Sequence, residues 1–173
     1  MSEEIIPLHA QTFFVVTRSG EIIQFLEYDY YDPNEYYKEL THKEEEFIRE
    51  IEKLWANMQQ FMDECKIYIN GEEVRAEVVF TDIQHRGAST VPYVIWIIVA
   101  RGKFRSGVNE YRVICEEEKL EYDCEAFWVF PHGTRILSVK TYMNYDVYDN
   151  LIILWARKGD IIGGEEIIKF ELP

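Results

Sequence analysis

The sequence predicts an α+β fold: about ten mostly antiparallel strands forming a curved sheet or barrel-like meander, with one long amphipathic helix, about residues 42–64, packed on it. Three observations carry that expectation. A single stretch has helical periodicity, Phe47, Ile51, Leu54, Met58, Phe61 and Cys65, widened by Ile48, Trp55 and Met62. Nearly everything after it alternates apolar and polar residues with a period of two, broken by turn residues. The composition, 47% apolar and 15% aromatic with 12 Tyr and 10 Phe, suits pleated, half-buried surfaces and is too apolar for disorder.

Along the chain, residues 12–17 and 21–27 read as a hairpin around Ser19-Gly20. Asp32, Pro33 and Glu35 have the spacing of a helix start, predicting a short helix over 33–40, and Thr41 with Glu44 repeats the capping-box spacing before the long helix. The stripe on that helix is wide enough for packing within the domain, yet its heptad spacing also suits a homodimer seam. Asn70-Gly71 predicts a type I′ hairpin between 66–69 and 73–83, with Val74, Ala76, Val78 and Phe80 on one face. Residues 91–101 read as a central strand covered on both faces, and 84–90 and 102–109 as loops. Strands at 111–117, 120–130, 135–143, 147–158 and 165–172 complete the count. The Tyr-rich stretch 28–37 is expected to cover a sheet edge. In outline this is similar to helix-grip and lipocalin-like architectures.

At 173 residues the chain is expected to be one domain (hairpin 12–27, helices 33–64, strands 66–172), burying roughly 70% of its unfolded surface without needing a disulfide or metal. The three cysteines lack CxxC spacing. Cys115 and Cys124 are expected on apolar strand faces, as buried free thiols rather than a disulfide or a reactive thiol. No apolar run reaches the roughly 18 residues of a membrane span, and the acidic start is unlike a secretory signal, so a cytoplasmic, unprocessed protein is expected. Abundant Ile, Glu and Tyr with few Gln resemble proteins of hot environments.

Net charge is −14, which argues against general affinity for nucleic acid or anionic membranes. The charge is uneven: residues 27–64 carry twelve acids and four bases, whereas 101–112 holds Arg101, Lys103, Arg105 and Arg112 against Glu110 alone. With Phe104 and Tyr111 interleaved, that basic segment is a candidate nucleotide or nucleic-acid site.

No nucleophile elbow, phosphate loop or dinucleotide fingerprint is present, and the four histidines share no metal-ligand spacing, so neither cofactor nor metal is expected. The weak catalytic candidates are His85, with Asp82 to orient it and Arg86 to hold an anion, and His132 in a Pro-His-Gly-Thr turn. The expectation is therefore a non-catalytic binding domain. It would take an apolar small molecule inside the sheet, or a basic macromolecular partner on the acidic face. An enzyme around His85 or His132 is the alternative.

Overall fold

A computed structural model describes residues 4–173; Met1, Ser2 and Glu3, part of the acidic start, lie outside the described residues. Among the described residues there are twelve strands and two helices. The strands are β1 (Ile6–Val16), β2 (Glu21–Tyr31), β3 (Lys66–Ile69), β4 (Glu72–Val74), β5 (Ala76–His85), β6 (Pro92–Arg101), β7 (Gly107–Lys119), β8 (Asp123–Val129), β9 (Arg135–Lys140), β10 (Asn144–Tyr148), β11 (Leu151–Ala156) and β12 (Ile161–Leu172). Helix α1 spans Tyr36–Leu40 and α2 spans Glu44–Glu64.

The strands do not form one meander. They divide into a seven-stranded sheet, ordered β10-β11-β8-β1-β2-β6-β5, and a five-stranded sheet, ordered β4-β3-β7-β12-β9. Neither closes on itself, and all neighbours are antiparallel except β1 and β8, which run parallel from His9↔Asp123 to Val15↔Val129. The two sheets share one core. Trp128 of β8 reaches Tyr111 of β7 at 4.9 Å between ring centroids, and Phe130 reaches Phe170 of β12 at 4.8 Å.

The Asn-Gly hairpin forms as its residues require: Asn70 at φ 51° and Gly71 at φ 82° close β3 onto β4. The expected 73–83 strand is in fact two, because the chain leaves the smaller sheet at Arg75 and enters the larger one as β5. A register shift between Val78 and Phe80 then turns Phe80 outward, so Ala76 and Val78 are buried while Phe80 is exposed. That bulge separates Phe80 from the face expected of it. Residues 144–146, expected as the turn into a 147–158 strand, instead open β10, and the turn sits at Asp149 (φ 50°) and Asn150.

The Tyr-rich stretch is not an edge cover. Tyr28 to Tyr31 continue β2, an interior strand between β1 and β6, where Tyr28 packs edge-on against Trp96 at 5.6 Å. Asp32 is buried and its carboxylate accepts the Tyr37 backbone N–H at 2.9 Å, but the residue before α1 is Glu35, in the left-handed region. Thr41 does not cap α2 either; Lys43 precedes that helix, and the Thr41 hydroxyl donates back to the Lys38 carbonyl.

Helix α2 packs against the shared core through Phe47, Ile51, Leu54, Met58 and Met62. Its buried Gln59 lies along the outer edge of β5 and takes the place of a neighbouring strand: its carbonyl accepts from Val78 N–H at 2.8 Å and its amide donates to the Ala76 carbonyl at 3.0 Å. Trp55 donates to the Val78 carbonyl at 2.8 Å. An edge that would otherwise invite another strand is thereby closed by side chains.

Cys65, at the C-terminus of α2, and Cys115 of β7 form a disulfide, with Cα atoms 4.5 Å apart. The expectation of a free Cys115 is corrected. The ladder pairs Lys66 with Ile114, which sets the two cysteines opposite one another across 50 residues of sequence. Cys124 alone is free, and burial pushes its thiol up to about 11, leaving it a poor nucleophile near neutral pH.

Both features should register in stability. Replacing Gln59 by Leu strands two backbone groups of β5 and should cost about 2–4 kcal/mol in urea unfolding. Replacing Cys65 and Cys115 by Ser should cost about 2–4 kcal/mol, and a reductant should destabilise the native protein to a similar degree while leaving the double variant unchanged.

Candidate functional site

An apolar concavity lies between the two sheets, beneath the C-terminal turns of α2. It encloses about 190 Å³. Its walls come from both sheets: Phe14, Leu26, Ala126, Trp128 and Leu154 from the larger one, Ile67, Tyr111, Val113 and Ile168 from the smaller. Met62 and Met143 add deformable side chains, and the Cys65–Cys115 disulfide closes one end. Phe61 and Lys140, both largely exposed, mark where it meets solvent.

The sequence explains the space. Thr12 and Ala126 are register partners on the neighbouring strands β1 and β8, both small and both facing inward. Phe14 and Trp128, the next inward pair, stack at 4.1 Å and hold the sheets apart. Small residues beside large ones leave a void that close packing would otherwise fill.

Four polar groups interrupt the apolar lining. Gln24 donates to the Thr12 hydroxyl at 3.1 Å, and the Thr141 hydroxyl donates to the Glu166 carboxylate at 2.6 Å. Glu166 and its neighbour Glu165 show what strand alternation does to identical side chains. Glu165 points outward, where Lys140 at 2.6 Å and Arg112 at 2.7 Å hold its carboxyl below the ordinary range. Glu166 points inward, where burial raises its carboxyl above the ordinary value and the Thr141 hydrogen bond only partly offsets this. Burial also raises the Tyr111 phenol, with Glu166 adding to the effect. Glu166 was missed in the sequence, although a signal existed: it is the one acid on a face otherwise made of Ile168, Phe170 and Leu172.

The residues singled out in the sequence lie elsewhere. His85 ends β5; its Nε2 is buried without a partner among the described residues, and desolvation, with Lys38 adding, lowers its pKa while Asp32 opposes. Asp82 does not orient it, since its carboxylate accepts from Ile83 N–H at 2.8 Å and Gln84 at 2.7 Å. Arg86 pairs with Glu27 and, at 2.9 Å, with Asp29, while its guanidinium lies over Tyr93 at 3.8 Å. His132 stands at the opposite end of the sheet, its carbonyl accepting from Arg18, roughly 25 Å away at about 3.3 Å per strand residue.

The basic segment does not converge either. Arg101 pairs with Glu21 at 3.1 Å and Glu77 at 3.8 Å, and Arg112 with Glu165. Arg105 donates to the Val108 carbonyl, the Lys103 carbonyl accepts from Asn70, and Phe104 packs edge-on against Phe170 at 5.4 Å. Among the described residues no group of three or more His, Cys, Asp or Glu stands where it could hold a metal ion, and no helix is long and apolar enough to cross a membrane.

A second surface stands out on the far side of the larger sheet. Strand register aligns Ile153, Phe127, Phe13, Phe25, Ile97 and Phe80 in one row across six strands, beside a row of Leu151, Val129, Val15, Ile23 and Val99. Phe13, Val15, Phe25, Phe80 and Leu151 are exposed. On the other side of the first row the same registers place Glu125, Glu27 and Asp82.

No family model matches this chain. No curated protein matches it significantly. Solved structures do match, among them the crystal structure of a "putative protease" from Parabacteroides distasonis, at 6% identity and a TM-score of 0.40. That alignment covers all of this chain and 41% of the other, so this chain spans less than half of its length. A likeness this slight carries no inference about fold or chemistry.

Glu166 gives the cavity a pH signature. Its folded pKa is raised above the ordinary 4.5, so its contribution to stability is fully present below about 4.5 and is lost as pH rises through the folded value. A Glu166→Gln variant cannot ionise and should lack that loss. The difference in melting temperature, variant minus native, should therefore increase on going from pH 4 to pH 8, as differential scanning fluorimetry would record.

Proposed function

We propose that this protein is a non-catalytic binding domain that holds an apolar small molecule between its two sheets. The observation that carries this reading is the cavity: about 190 Å³, walled by aromatic and aliphatic side chains, with a few polar groups turned inward. Ligand sites have this anatomy, apolar walls with sparse polar groups that fix orientation. The volume suits one ring with a short substituent, since a dry cavity of about 150 Å³ takes benzene. An enzyme built on His85 or His132 has less support, because Asp82 is engaged by Ile83 and Gln84, and Arg86 by Glu27 and Asp29.

The test is native mass spectrometry and thermal shift with indole as the probe. Indole should bind one per chain and raise the melting temperature. Ala126→Phe, or the milder Ala126→Leu, should fill the cavity, abolish the shift and leave the protein at least as stable. Indole binding that persists in both folded variants would overturn the reading.

A second reading, a macromolecular partner, is favoured by the outer apolar rows. Exposed apolar patches beyond a few hundred Å² mark interaction sites. An acidic row borders them, and two copies each carrying −14 repel, so the partner that fits is a protein presenting apolar residues beside Lys or Arg. A synthetic Leu/Lys amphipathic peptide should bind the native protein and not a Phe13→Glu/Phe25→Glu variant. Equal binding to both would remove this reading, and a native protein that sediments as a dimer would replace it with self-association. As for compartment, a cytoplasm remains our proposal; the disulfide is compatible with one in an organism of hot habitats, where intracellular disulfides are common.

A further inference from the structure

The cavity holds one ionisable acid, and that is an unusual thing to keep in an apolar wall. Glu166 occupies a β12 position whose inward neighbours are Ile168 and Phe170, and an aliphatic residue there would avoid the cost of desolvating a carboxyl. Its one hydrogen-bond partner among the described residues is the Thr141 hydroxyl. The bases close by are engaged elsewhere: Lys140 and Arg112 are both held by Glu165 on the other face of the strand. Among the described residues Glu166 is thus left with acceptor capacity and no cation.

The surroundings favour a cation from outside. Phe14, Trp128 and Tyr111 line the same space, and aromatic faces attract ammonium groups through the ring quadrupole, most of all when water is excluded. The net charge of −14 raises the local concentration of cations and repels anions. A carboxylate or phosphate ligand would meet Glu166 as a like charge. A neutral hydrocarbon would leave the carboxyl unmatched.

We propose that the cavity is a site for a small aromatic amine, its ring against Trp128, Phe14 and Tyr111 and its ammonium paired with Glu166. This rests on the reading of the cavity as a ligand site and adds the chemical class of the ligand. The volume sets the size at a single ring carrying a short aminoalkyl arm.

Three probes of one shape separate the possibilities: 2-phenylethylamine, 2-phenylethanol and 3-phenylpropanoate, a cation, a neutral molecule and an anion, titrated by calorimetry at pH 7. The amine should bind the native protein at least about tenfold more tightly than the alcohol, as expected of a charge-assisted hydrogen bond, and the anion should not bind. In Glu166→Gln the amine should lose that advantage while the alcohol binds as before. Alcohol binding as tight as amine binding in the native protein would overturn the amine assignment and leave the ligand site standing. Failure of all three probes would overturn both. Because the decisive comparison uses the native protein, it does not depend on the variant folding.

Discussion

The Trp128 indole is the contact on which the arrangement depends. It stacks on Phe14 at 4.1 Å within its own sheet, meets Tyr111 of the facing sheet at 4.9 Å, and lies 5.8 Å from Phe130. Two packed sheets stand about 10 Å apart, a gap that aromatic side chains span and small ones do not. Where Trp128 and Phe14 meet Tyr111, the gap is filled. Two residues along the same ladder, Ala126 and Thr12 leave it open. The same ladder therefore sets the separation of the sheets and the place of the cavity.

Much of this was legible in the residues. The period of α2 named part of its inward face: Phe47, Ile51, Leu54, Met58 and Met62 pack inward, whereas Ile48, Trp55 and Phe61, expected on the same stripe, are exposed. Asn70-Gly71 named its turn, and alternation named most strands. These are local signals, in which the residue itself carries the backbone or burial preference. The division into two sheets was not legible, since alternation says that a strand has a buried face and is silent about which strand lies beside it. The bulge at Val78 to Phe80 was hidden for a related reason: one extra residue resets the period without altering composition.

The site was less legible than the fold. Charge drew attention to residues 101–112, yet register places acids opposite those bases, Glu21 and Glu77 beside Arg101 and Glu165 beside Arg112. Histidine chemistry drew attention to residues 85 and 132, which topology separates. Glu166 carries the most distinctive environment, and it went unremarked because a chain with 32 acids makes any one of them ordinary. Only its place on an apolar face distinguishes it. The disulfide is similar, two unremarkable cysteines brought opposite by a ladder that begins one residue away.

The parallel pairing of β1 with β8 has a consequence for how the chain reaches this structure. His9 and Glu125, joined across that pair at 2.6 Å, are 116 residues apart in sequence. During synthesis at about 5–20 residues per second, the first hairpin waits roughly 6–23 s for its second neighbour to be made. Through that interval β1 presents an open edge bearing Phe13, Phe14, Val15 and Val16, the kind of strand that pairs with whatever is at hand. Non-local pairing of this sort slows folding, because the loop must close before the contact rewards it. The order of elements along the chain thus makes β1 among the last strands to gain both neighbours.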